Sequence, residues 1–490
     1  MRLDWGSVYA TFQSYVISLI CQFHRAMQHC VALPDISDPV PTFYMHEHSA
    51  INMAWLRHCD GFAALRESSA AENTAEVGLH HVLHNHPARV TDPSRASLVY
   101  VPVWEFVSRS IGTCRNTTHG ERMRAAHDAL QATGLWRESC HASGNVSCGA
   151  SHLWLTTAYS AQRYTLSRSM FPLSNLLGGS IVGRYKSGGL TRASKVGQCA
   201  IEMPYQAPLA ATRLAASLAR LPDEARPQRT RLLFFAGALD VCCTGAAIRC
   251  AIGALFVATF GVDPDVLVRP TGNGACTRRA LEGAANKTRS AGGDASAVPA
   301  YVANASRAVA TGVVNQTAHE MATSTFCLVP AGDTCVTSRL FASMALGCIP
   351  VVLCDGLTGA LPEHARYSSW WIKHSTRTFM RDATAVLREL RALPAADVAR
   401  RQREMRDHVA DALYDGKGSR VGTNFLIASR RHAMGCAVNL TGSYEDAVSP
   451  SAARREVPRD TDAGADAGGG SASGGGAPAI IPCEVGRHAG

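Results

Sequence analysis

The sequence offers little by way of a long apolar run. Its best candidate for membrane insertion, Val8 to Phe23 (VYATFQSYVISLICQF), is sixteen uncharged residues containing two Gln and two Ser, whereas a spanning helix wants about 20 predominantly apolar ones. No A-x-A-like cleavage site accompanies it. Three readings stay open for the segment: a marginal signal-anchor, an amphipathic first helix of the fold, or a chain start that misses the true targeting segment. A basic block is also lacking. The net charge of +9 divides into 19 basic against 16 acidic residues over 1–224, 21 against 16 over 225–415, and 8 against 7 beyond. Nucleic-acid binding needs a concentrated patch that displaces counterions, so no nucleic-acid partner is expected. Metal-site spacing is missing too: His46-Glu47-His48 and His80, His81, His84 come without HExxH or paired cysteines, and no metal site is expected. Gly178 to Ser187 (GGSIVGRYKS) only imitates a phosphate loop, because its lysine does not follow the second glycine.

What is present is a 490-residue chain of 52.1 kDa, 46% hydrophobic and 18% charged, the composition of a globular protein with two or three domains. Of its twelve asparagines, six stand in N-x-[ST]: Asn116, Asn145, Asn286, Asn304, Asn315 and Asn439. Composition alone would give about two, so the excess points to the glycosylation machinery of the secretory lumen. Seventeen cysteines fit that compartment, where Cys140 and Cys148 are a local candidate pair, and their odd number leaves at least one thiol free or bonded to a partner chain.

Composition also marks the organisation. Residues 1–39 form an N-terminal segment, and 451–490 (with DAGADAGGGSASGGGAPA) a tail too poor in apolar side chains to order. A short helix and then the polar PDEARPQRT, within 209–230, place a domain boundary near 225, giving domains over 40–224 and 225–415 with an extension over 416–450. Ala96 to Val103 reads as a strand, Glu76 to His84 as a helix, Arg231 to Phe235 as a buried strand, Ala246 to Phe260 as a helix and Asp265 to Val268 as a strand. Residues 270–299, rich in Gly and Ala, read as a long surface insertion. From Phe379 to Leu413 two amphipathic helices broken at Pro394 are predicted to pack across the domains. The alternation predicts α/β architecture with a parallel sheet in each half.

The sharpest unit is Phe326 to Asp355: a strand, the loop Ala331-Gly332-Asp333, a helix from about Thr337 stopped at Gly347, and a strand over Ile349–Leu353. A strand feeding a helix through a glycine-containing turn gathers free N–H groups and the positive helix end at the sheet's carboxyl edge, which makes an anion site. Arg339 falls in the first helical turn, where its fork suits a diphosphate, although a solvated or ion-paired helix arginine is the commoner outcome. Asp263-Pro264-Asp265 precedes a strand and reads as a turn.

The stretch TFCLVPAGDTCVTSRLFASMALGCIPVVLCDG resembles the C-terminal signature of the exostosin family of glycosyltransferases. ENTAEVGLHHVLHNHPARVTDPSRASLVYVPVWEF resembles that family's N-terminal segment, Ile201-Glu202-Met203-Pro204-Tyr205 its V-x-IPY strand, RLLFFAGA with Ile248-Arg249 its FF-x-G…IR element, and MRDHV at Met405 to Val409 its closing helix. The likeness covers roughly residues 40–415 in order. It implies a GT-B architecture of two facing Rossmann-like domains. The implied activity is inverting transfer of a sugar from a nucleotide donor, usually a UDP-sugar, to a glycan hydroxyl in the Golgi lumen. The donor is a co-substrate with no obligatory cofactor or metal, and oligomers with related transferases and a type II membrane anchor belong to the same picture.

By position, Arg339 would contact the diphosphate and Arg249 would be a second donor-side arginine, with Gly332, Asp333 and Ser338 lining the pocket. Two departures stand out. The acidic residue expected three positions after the signature arginine, to bond the nucleotide ribose, is Ala342, with Ser343 beside it. The family's RDHF segment is here Ser151-His152-Leu153. Inverting transfer needs a base for the acceptor hydroxyl, and His152, Glu202 and Glu105 are the candidates. A catalytically silent member that binds a glycan or a partner subunit is the competing reading.

Overall fold

The runs RLLFFAGA, STFCLVP and IPVVL have no polar face to leave in water, so they pair as inner strands of a parallel sheet covered on both sides. In the computed structural model of the chain, which describes residues 39–142, 149, 151–157, 181–184, 200–222, 225–241, 243–296, 298, 314–332, 334–416 and 418–442, they are β7 (Arg231–Ala238), β9 (Ser324–Pro330) and β10 (Ile349–Leu353). With β8 (Val266–Thr271) and β11 (Ile372–Lys373) they form a sheet ordered β11-β10-β9-β7-β8, parallel throughout. Alternation along β7 sends Leu233 and Phe235 into one apolar layer, and Phe234 into the other.

A second parallel sheet is built from β1 (Phe43–Met45), β2 (Arg89–Val90), β3 (Leu98–Tyr100), β4 (His152–Thr156), β5 (Ile181–Arg184) and β6 (Ala200–Glu202), ordered β2-β1-β3-β4-β5-β6. Leu153 and Leu155 of β4 face one core and Trp154 the other. Both sheets lie in one compact unit that begins at Pro41. Two parallel α/β halves are thus what the strand and helix alternation predicted, and both sheets are parallel throughout.

The helices that matter below are α1 (Ala75–His84), α2 (Glu105–Ser110), α3 (His119–Ala132), α4 (Leu209–Leu218), α5 (Ala246–Thr259), α6 (Ala275–Ser290), α7 (Val314–Ala322), α8 (Ser338–Ala345), α9 (Ala395–Ala412) and α10 (Val421–Gly442). Helix α8 starts after Thr337, as expected, and the Thr337 hydroxyl accepts the Arg339 N–H. It ends in a Schellman motif: Gly347, at φ +70°, donates to Met344, and Cys348 donates to Ser343.

Residues 270–299 are not a surface insertion. β8 continues through Thr271, and α6 occupies most of the remainder. Its buried stripe is small, Thr277, Ala280 and Ala284, and it presses on α5, where Gly253 leaves room for Ala280. Such a stripe offers no large apolar side chain to mark it as a core-facing helix in the sequence. Its N-terminus is capped from outside by Asp240, which accepts the N–H groups of Cys276 (2.8 Å) and Thr277 (3.1 Å) and the Thr277 hydroxyl (2.6 Å). A disulfide, Cys250–Cys276, joins α5 to α6. Three more are described: Cys59–Cys114, Cys327–Cys348 and Cys335–Cys354. Cys148 of the expected local pair lies outside the described residues.

After Pro394 the chain forms α9 against the C-terminal sheet, then crosses back. Tyr414 is buried with its hydroxyl donating to Pro204 (3.1 Å), and α10 lays Val421, Phe425 and Leu426 on α1 and the N-terminal sheet. The crossing is held by Asp411, which accepts from Arg420 (2.7 and 2.6 Å), Asn424 (3.0 Å) and His408 (3.1 Å). Burial pushes its pKa up, but these bonds outweigh that and hold it below the ordinary aspartate value. No helix among the described residues is long and apolar enough to cross a membrane, and Val8 to Phe23 is outside them.

Two outcomes follow from this packing. A methyl added at Gly274 would fall 2.1 Å from the Asp240 carboxyl carbon, so Gly274→Ala should lose the α6 cap and about 1–2 kcal/mol. A lower Tm checks it against Gly120→Ala, where nothing lies within 4 Å. Asp411→Ala should cost on the order of 2 kcal/mol at neutral pH. Because the folded pKa of Asp411 is depressed, that contribution exists above the unfolded value near 3.8 and vanishes as pH falls through the lower folded one. Urea midpoints of variant and parent should therefore converge in acid.

Candidate functional site

Chain order sets where a site can form. From β7 the chain moves through α5 to β8 on one side, then crosses to β9 on the other, so the carboxyl ends of β7 and β9 flank a topological switch point. A cleft of about 540 Å³ opens there. Arg249, Gly332, Ser338, Arg339 and Ala342 line it from the C-terminal half, α7 adds Thr317 and Met321, and Glu72 and Asn73 enter from the N-terminal half.

The two arginines cross. Arg339, at the start of α8 after β9, turns back to β7: it donates to the Ala236 carbonyl (2.5 Å) and lies 4.7 Å over the Phe235 ring. Arg249, from α5 after β7, donates from Nε to Ala331 beyond β9 (2.8 Å) and to Ala238 (3.0 Å). Glycines make this possible. A Cβ at Gly237 would meet the Arg339 guanidinium at 2.6 Å, and one at Gly245 would meet the Ala331 carbonyl at 2.3 Å. Burial, and then repulsion from Arg249, lower the Arg339 pKa to about 9 against a smaller pull from Glu72. The group stays charged at neutral pH, yet its Nε has no partner. A desolvated cation with a bond to spare, beside a second guanidinium and a helix N-terminus, is an anion receptor.

Gly332 belongs to the receptor's floor: its carbonyl accepts from Gly245 (2.8 Å), and its own N–H goes to Thr334 (2.9 Å). The loop carrying it is tied to the end of β10 by Cys335–Cys354. Asp333 lies outside the described residues. Ala342 presents a methyl where an acidic side chain was expected. Ser343 does not stand in for it, being fully buried with its hydroxyl donating to the Arg339 and Leu340 carbonyls (2.6 and 3.0 Å).

Of the three candidate bases, none is among the cleft's lining residues. His152 begins β4 with 1% exposure, against Trp136 (4.9 Å) and His46 (6.1 Å); burial and then His46 drive its pKa to about 3, and neither ring nitrogen has a partner. Glu202 ends β6, where its carboxylate accepts from Thr358 (3.2 Å) and its carbonyl from Leu361. Glu105 opens α2 at the carboxyl edge of the N-terminal sheet, buried, accepting from Thr156 (2.8 Å), with burial raising its pKa to about 7. Beside it, buried Glu76 accepts the N–H groups of Phe106 (2.9 Å) and Val107 (3.3 Å) and so caps α2.

Glu72 is the residue that sequence reasoning missed. It sits in the single turn Ser69–Asn73 ahead of α1, and its carboxylate accepts the Ser338 hydroxyl from across the cleft. Among the described residues no three or more His, Cys, Asp or Glu side chains gather as a metal site; Asp263 and Asp265 share Arg391 (2.5 and 3.1 Å) in the turn before β8. Asn116 is exposed in a turn at φ +58° and Asn286 is exposed on α6. Asn315 and Asn439 fall in α7 and α10 with side chains outside the described residues, as are Asn145 and Asn304 altogether.

No curated protein matches the chain. Among solved structures it is similar to one from Listeria monocytogenes described as a UDP-N-acetylglucosamine 2-epimerase, at 10% identity over 81% of this chain and 98% of that one, with a TM-score of 0.31. That likeness is too distant to inform the site. A family model for the exostosin GT47 domain matches residues 38–390, which spans both sheets and the crossed arginines. The chain belongs to the exostosin GT47 family and is a glycosyltransferase.

Proposed function

We propose that the cleft binds a UDP-sugar and transfers its sugar, with inversion, to a glycan hydroxyl in the secretory lumen. The observation that carries this reading is the Arg339–Arg249 pair at the switch point, in which the buried Arg339 guanidinium keeps an Nε without a partner. In one step the acceptor oxygen bonds to the anomeric carbon, the bond from that carbon to the diphosphate oxygen breaks, and the electron pair leaves with the nucleotide. Arg339 and the α8 terminus stabilise the charge that grows on the departing phosphate, a role often given to a bound cation, so no metal is obligatory. The acceptor proton passes to a carboxylate of the N-terminal half. Glu105, at the carboxyl edge of the N-terminal sheet but outside the cleft's lining, is the candidate whose pKa of about 7 suits that task. Disulfides and sequons support the luminal setting. One observation favours the silent reading: neither Ala342 nor Ser343 offers the cleft a hydroxyl acceptor.

Arg339→Ala should lower transfer about 10²-fold or more, and Arg339→Lys should restore little, because an ammonium cannot fork. Unchanged turnover in a donor-hydrolysis assay would remove the role. UDP should raise the stability of the parent protein by about 2.7 kcal/mol at 100 Kd, and no thermal shift with any nucleoside diphosphate would support the silent reading. As a base, Glu105 must be ionised. The rate should rise with pH through about 7 and the limb should disappear, with the activity, in Glu105→Gln.

A further inference from the structure

The anion receptor contains its own opponent. Glu72 places a carboxylate at the N-terminus of α8, on Ser338 and close enough to Arg339 to offset part of its lowered pKa. For a bare diphosphate that is a like charge in a partly desolvated cleft, and it repels. The position is not accidental slack in a loop. The Glu72 carbonyl accepts from the Gln206 backbone (3.1 Å) and the Asn73 carbonyl from Thr157 (2.5 Å), so the turn is pinned beyond the ends of β6 and β4. Ser68 caps it with its hydroxyl (3.1 Å to Ala70). The backbone that carries the carboxylate is therefore fixed at the mouth of the N-terminal half.

We infer that Glu72 is a specificity residue that accepts a ligand hydroxyl, taking the place of the Ser338 hydroxyl as donor, and so selects a hydroxyl-bearing nucleotide over a bare polyphosphate. An ionised carboxylate only accepts hydrogen bonds, so a ligand that brings an O–H converts the repulsion into a charge-assisted bond. Sequence position along α8 says where that hydroxyl lies. Ser338 and Ala342 are one turn apart on the same face and both line the cleft. Glu72 reaches that face from the opposite half, which supplies the acceptor that Ala342 and the buried Ser343 do not. The ribose and the transferred sugar both carry vicinal hydroxyls of this kind.

The inference rests on the nucleotide reading above and is tested by calorimetric binding of UDP, 2′,3′-dideoxy-UDP, pyrophosphate, UDP-glucose and UDP-galactose to parent, Glu72→Gln and Glu72→Asp proteins. In Glu72→Gln, pyrophosphate should bind more tightly, while the hydroxyl-bearing ligand weakens by about 10-fold or more, the loss expected for a charged hydrogen bond. Glu72→Asp keeps the charge and should keep the preference in weaker form. If the ribose is the partner, UDP weakens and dideoxy-UDP does not; if the sugar is, a UDP-sugar weakens and UDP does not. Parallel changes for all ligands in Glu72→Gln, or no change at all, would overturn the inference and leave the nucleotide reading standing. Failure of the parent to bind any of the five would overturn both.

Discussion

Two guanidinium groups sit close together because each reaches across to the strand end from which it did not come, Arg249 keeping a bond to its own strand at Ala238 as well. Arg249 follows β7 and bonds beyond β9; Arg339 follows β9 and bonds to β7. Crossed, the pair acts as a strap that holds the two strand ends at a fixed separation, and the carbonyls of Ala236, Ala238 and Ala331 replace part of the lost water. The strap tolerates no side chain at Gly237 or Gly245. It is also incomplete: burial lowers the Arg339 pKa, and the Nε of that cation has no partner in the folded chain.

The same edge depends on the other half of the molecule. Ser338 meets Glu72, Gln206 donates to Asp415, and Gly78 of α1 lies so near Tyr414 that a Cβ there would fall 2.7 Å from its ring. Of these residues, only Glu72 and Ser338 line the cleft itself. The lining of the cleft is therefore shared between the two halves and does not belong to the C-terminal loops alone.

Much of this was legible in the residues. The β9, α8 and β10 boundaries emerge because strand composition, a helical turn and a stop glycine agree in one short unit, and Arg339 and Arg249 are found because a family signature surrounds them. Helix α6 was hidden because its buried face is Ala and Thr and its cap, Asp240, is remote in sequence. His152 matched a motif by position, yet its surroundings make it a neutral core ring. Glu72 left no signal. A glutamate in a turn before a helix looks like any solvated surface charge, and only the meeting of two sheets gives it a neighbour.

Helix α10 bears on how the molecule is made. The core under β1 and β3 includes Val421, Phe425 and Leu426, so the first sheet to leave the ribosome lacks one wall until nearly the whole described chain has been synthesised. Its apolar face must wait through the folding of the second sheet, exposed or sheltered by something else. Vectorial synthesis thus runs against the order of assembly: the half that begins first is completed last, when α10 docks on its sheet.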